Sequence, residues 1–197
     1  DARRFLGELG GRTAIVHPWS RPGPSDPPFT LENVGTAIER GYRSVSELVK
    51  VAEQTGVRIA LENLTNRGRD CRPVVTMHEL RALISSFPPE QVGLCLDTGH
   101  ACMSGLDPAE QARIASDRLY ALHIQDIDGQ NDCHWLPGRG VIDWNAVGSA
   151  LADIQFDGAW TIEPLAARTN ATEEQIAAES GVLREQWETR GMANVKS

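Results

Sequence analysis

No apolar run in the 197 residues approaches the ~18 that a membrane-spanning helix needs, and the first residues show neither the basic start nor the apolar stretch of a secretory leader. A soluble chain is the expectation. Its four cysteines (Cys71, Cys95, Cys102, Cys133) make no CxxC pair and no disulfide-framework spacing, so reduced thiols in a cytoplasmic protein are the simplest reading. Basic residues are in the minority, 19 Lys and Arg against 27 Asp and Glu, and they form no run. The net charge of −8 and pI near 5.1 give no general attraction for nucleic acid, whereas carboxylates gathered around a bound cation would offset part of the imbalance. No GxGxxG turn follows a strand-like run, which removes the usual dinucleotide signature. No shift of composition divides the chain either, and one domain over residues 1–197 is expected.

What is present is a repeated pattern. Five short apolar runs, TAIVH (13–17), VRIALE (57–62), VGLCLD (92–97), LYALHI (119–124) and WTIE (160–163), are each followed by a turn and then by helical periodicity. The clearest helix is predicted over 31–55, with Leu31, Val34, Ile38, Val45, Leu48, Val49 and Ala52 on one face and Gly56 as its C-cap. Further helices are expected over 77–85, 108–116, 145–154 and 173–188. The strands are apolar on both faces, as in a parallel sheet covered on both sides.

A doubly wound sheet and a (β/α) barrel both fit that pattern, but polar residues stand at or next to the C-terminal ends of all five runs: His17, Glu62, Asp97, His123 and Glu163. Strand ends converge in a barrel, so a TIM (β/α)8-type barrel is the predicted fold. Five strands do not close one. The reading is therefore of the last five strand-helix units, with a helix tail over 2–9 and three further units expected upstream.

Each polar strand end also has an ordinary reading. Glu62 could pair with Arg67 or Arg69, Asp97 could cap the next helix, and His123 could be a core histidine. Together Glu62, Asp97, His123 and Glu163 form an oxygen-rich set with one imidazole, suited to manganese, magnesium or cobalt at least as well as to zinc. His100, three residues past Asp97, can return over the same opening. His78 and the acidic residues Glu173, Glu174 and Glu179 read as solvated helix faces.

The segments LENL, VGLCLDTGHA, LHIQDIDG, DCHWLPGRGVIDW and GAWTIEP, in this order and at barrel-unit spacing, resemble the successive signatures of the sugar phosphate isomerase/epimerase family, the xylose isomerase-like barrels. The resemblance covers nearly the whole chain. It implies that Glu62, Asp97, His123 and Glu163 bind one divalent cation and that Glu62 and Glu163 double as an acid/base pair. The implied activity is proton transfer on a hydroxy-carbonyl sugar, sugar phosphate or polyol through an enediolate, which a cation stabilises as a Lewis acid. Candidate substrate contacts are His17, Trp19, His100, Asp132, His134 and Arg139. Ketose 3-epimerases of the group carry an arginine pair where Cys133 and His134 stand here, a departure from that substrate class. A homo-oligomer is compatible with the sequence.

Two other readings compete. The related apurinic-site endonucleases hold three zinc ions, and His17, Glu62, Asp97, His100, His123, Asp132, His134 and Glu163 match much of that set; the acidic balance counts against it. A barrel that binds a polyol or a protein without turnover would be natural had Glu62 or Glu163 been lost, and both are present.

Overall fold

The structure is a computed structural model that describes residues 7, 10–18, 29–66, 72–169 and 171–189. The helix tail expected over 2–9 lies almost wholly outside them, as do Trp19, Arg67, Arg69 and Cys71. Five strands, β1 (Thr13–Val16), β2 (Arg58–Glu62), β3 (Val92–Asp97), β4 (Leu119–Ile124) and β5 (Ala159–Ile162), form one sheet in which every neighbour is parallel and the order is that of the chain. A doubly wound sheet reverses its order at a switch point; this one never does. The architecture is the parallel α/β half-barrel that belongs to the TIM-barrel class.

Helices α1 (Val34–Thr55), α2 (Met77–Ile84), α4 (Pro108–Ala115) and α5 (Trp144–Asp153) cross over between successive strands. Short α3 (Thr98–Met103) and α6 (Ala166–Thr169) directly follow β3 and β5, and α7 (Glu173–Thr189) comes last. Local chemistry sets their ends. Thr76 and Glu79 make a reciprocal capping box on α2, Asp107 and Asp143 cap α4 and α5, and Gly56 ends α1 at φ 69° with its N–H on the Ala52 carbonyl. α1 starts later than its apolar stripe predicts: Asn33 Oδ1 accepts from the Thr30 N–H at 2.8 Å, residues 31–33 form a turn, and Leu31 is left 84% exposed.

One face of the sheet packs against the helices through Ile59, Leu61, Leu94, Leu96, Leu122 and Ile124, with Trp160 and Ile162 of β5 joining them. Truncating such a buried leucine or isoleucine to alanine costs about 2–5 kcal/mol. The opposite face carries Ile15, Ala60, Cys95, Tyr120 and Ala121. Because side chains alternate along a strand, the residues two steps beyond Ile15, Ala60, Cys95 and Ala121 share this inner face. They are His17, Glu62, Asp97 and His123.

β4 needs a correction of register to do this. Leu94 pairs with Leu119 but Cys95 pairs with Ala121, so Tyr120 is the extra residue of a bulge, and both it and Ala121 face inward. The Tyr120 ring lies where a Cβ on Gly93 would come within 2.5 Å, and the Arg58 guanidinium stacks 4.3 Å from its centroid.

Candidate metal centre

Glu62 ends β2 and Asp97 ends β3, while His17 and Glu163 each stand one residue beyond their strands. Glu62 is 2% and Asp97 1% exposed, a burial that carboxylates tolerate only with partners or a cation. Around Glu62 the partners are all imidazoles: Oε2 lies 3.1 Å from His17 Nε2 and 3.1 Å from His123 Nδ1, and Oε1 lies 3.4 Å from His100 Nδ1. Among the described residues no lysine or arginine nitrogen comes within ion-pair distance of Glu62, Asp97 or Glu163.

His123 Nδ1 also lies 3.3 Å from Glu163 Oε1, yet this buried nitrogen makes no aligned hydrogen bond. An imidazole nitrogen between two carboxylates with no aligned donor-acceptor partner is suited to a cation that all three groups share. Ligand-capable atoms of Asp97, His123 and Glu163 lie within 4.8 Å of one another, as do those of Glu62, Asp97 and His100, and of Glu62, Cys95 and His123. Burial pushes the Cys95 thiol well above its ordinary range, while the other two groups offer oxygen and nitrogen donors alone.

The electrostatics have one pattern. Burial opposes the charge on Glu62, but His100, His123 and His17 outweigh it and hold the carboxyl far below the usual range. Burial likewise opposes His100, and Asp97 with Glu62 overcomes it, pushing the imidazole to about 9. His123 is raised against its burial by Glu62 and Glu163, and contact with Glu62 raises His17. Asp97 and Glu163 are raised by burial. The imidazoles around Glu62 are thus shifted toward their charged form, at the place where a divalent cation would supply positive charge.

The capping reading of Asp97 holds. It caps α3 through Oδ1, which accepts from the His100 N–H at 2.7 Å, and that cap is what swings the His100 ring back over the mouth. Asn63 braces Asp97: its Oδ1 accepts from the Asp97 N–H at 2.8 Å, and its Nδ2 donates to the Asp97 carbonyl at 3.1 Å.

Asp132 and His134 belong to the loop that follows β4. His134 Nε2 lies 3.3 Å from Asp132 Oδ1, a contact that draws Asp132 far below the usual range, and Arg168 of α6 lies 3.3 Å from Asp132 Oδ2. His134 Nδ1 pairs with the Glu163 carbonyl at 2.8 Å, joining this loop to the end of β5. Arg139 instead pairs with Glu179 on α7. Sequence reasoning passed over Gln125, whose Nε2 donates to Asp97 Oδ1 and Oδ2 at 3.2 and 3.0 Å. Its spacing from His123, two residues along the same strand direction, was the available signal.

The sheet and its mouth define the class: a parallel α/β barrel-type chain with acidic and imidazole groups at its strand ends. Residues 1–186 match the family profile described as xylose isomerase-like TIM barrel, and the chain belongs to that family. D-psicose 3-epimerase of Enterocloster bolteae is 31% identical over 137 residues, 69% of this chain and 43% of that protein. The probable endonuclease 4 of Thermoplasma volcanium is 28% identical over 133 residues, 61% of this chain and 46% of that one. Among solved structures, a D-tagatose 3-epimerase-like protein superimposes with a TM-score of 0.78 at 25% identity, over 95% of this chain and 66% of its own. The chain spans about half the length of the curated relatives it matches.

Proposed function

We propose that this mouth is the centre of a divalent-metal-dependent sugar or polyol isomerase or epimerase. Glu62, Asp97, His123 and Glu163 would hold the ion, with manganese, magnesium or cobalt preferred by the carboxylate-rich set and zinc also accommodated. The observation that carries the reading is the placement of Glu62 and Glu163, at 3.1 and 3.3 Å, on the same unaligned His123 nitrogen. When bound, the cation supplies Lewis-acid stabilisation of negative charge developing on substrate oxygens.

The chain's own residues do the rest. One of the two glutamates removes a carbon-bound proton beside a carbonyl and the other returns it; the handedness of the substrate decides the order. Glu163, raised by burial, is suited to carrying a proton. His100 and His17 would hydrogen-bond substrate oxygens, and Asp132 with His134 would hold hydroxyls from the loop side. Arg139 is left out of this set because Glu179 engages it.

Kinship with sugar 3-epimerases supports the reading. Glu62→Gln and Glu163→Gln should each lower solvent-deuterium incorporation into a ketose panel by about 10²–10⁴-fold with an unchanged fold, the usual weight of a positioned acid or base. Normal exchange in either variant removes the pair from the mechanism.

A second reading has its own support. His17, His100, Asp132 and His134 surround the four proposed ligands, and a probable endonuclease 4 is among the relatives. Two or three zinc ions hydrolysing a phosphodiester would use that larger set.

A further inference from the structure

Gln125 is fully buried and follows His123 along the direction of β4. Its backbone is fixed through Thr98: the N–H donates to Thr98 Oγ1 at 3.1 Å, and the carbonyl accepts from that hydroxyl at 2.8 Å. Its amide orientation is fixed too. Oε1 accepts from the His134 N–H at 3.1 Å, which turns Nε2 toward both Asp97 oxygens and toward Asp132 Oδ1 at 3.4 Å. A Cβ on Gly99 would come 2.6 Å from the amide carbon, so the bare backbone there leaves the group its place.

We propose that Gln125 is the positioning residue that ties Asp97 to the loop of Asp132 and His134, so that holding a cation at Asp97 and fixing that loop over the mouth are one event. The inference rests on the metal-centre reading above. One NH2 group serves three carboxylate oxygens, and Asp97 now takes the shorter contacts. Charge drawn from Asp97 to a cation releases donor capacity to Asp132. The other end of the amide holds His134, whose φ of 51° is a left-handed backbone uncommon for a non-glycine residue. A neutral amide suits the role: lysine would neutralise the charge that Asp97 offers a metal, and glutamate would repel it.

The test titrates MnCl2 into the full chain and into Gln125→Met, with hydrogen exchange of residues 128–135 followed in both. The wild type should show metal-dependent protection of this loop. The variant should bind Mn²⁺ about 10–100-fold more weakly, the usual cost of losing a group that orients a metal ligand, and should lose the protection. Should the methionine variant not fold, Gln125→Asn, one methylene short of both carboxylates, carries the same expectation. Unchanged affinity, or metal-dependent protection that survives the substitution, overturns the coupling and leaves the metal centre standing. A wild-type chain that binds neither Mn²⁺, Co²⁺ nor Zn²⁺ overturns the metal centre, and this inference with it.

Discussion

At the scale of single residues, the mouth joins groups that would each be costly alone. Glu62 is tolerable at 2% exposure because three imidazoles face it, and Asp97 because one backbone N–H and the Gln125 amide point at it. The aspartate next to Gln125 has a different duty. Asp126, fully buried, accepts from the Ile127, Gly138 and Ile142 N–H groups and from Trp144 Nε1 at 2.9–3.2 Å, pinning the loop that carries Asp132 and His134. Asp126→Asn would turn an NH2 group toward donors, and should lower stability by about 3 kcal/mol in urea denaturation. A loss within experimental error would show that the loop is held by other means. Glu62, Asp97, His123 and Glu163 were legible in the sequence as candidates because each is a polar residue at or next to the end of an apolar run. Gln125 and Asp126 were not, since an amide carries no charge to draw notice and the aspartate of HIQD reads as ordinary loop chemistry.

At the scale of elements, the bulge at Tyr120 decides whether the site exists. A one-residue change of register turns every later side chain to the other face, and here it brings Ala121 and His123 to the side where Asp97 waits. Gly93 makes room for the ring: a methyl there would also approach the Arg118 carbonyl to 2.6 Å. Gly93→Ala should therefore cost about 1–3 kcal/mol as an overpacked core, measured by thermal or urea unfolding. It should also weaken cation binding in calorimetric titration, which a purely local packing defect would not do. The five strands and the long crossover helices were readable from period and capping residues. The short α3 and α6 were not, because six and four residues are too few to show a helical period.

At the scale of the whole molecule, the sequential parallel order separates a barrel from a doubly wound sheet, a choice that strand patterns alone left to the strand-end residues. Among the described residues no helix is long and apolar enough to cross a membrane. A cation that binds only the folded site stabilises the fold by mass action, by about 2.7 kcal/mol at 100 times the dissociation constant. Chelation should accordingly lower the unfolding midpoint by roughly 5–10 °C for a chain of this size, and Mn²⁺ should restore it. An unmoved midpoint would mean that no such linkage exists.

In the proposed function the strand ends form a one-cation centre for proton transfer on a sugar. Its most direct test is metal analysis of the gently purified protein, coupled to deuterium exchange on a ketose panel and to cleavage of a duplex with an abasic site. About one divalent ion per chain, with deuterium entering the carbon beside the carbonyl, is the predicted result. Two or three zinc ions, with strand cleavage and no exchange, would contradict it and identify the wider histidine set as the working one.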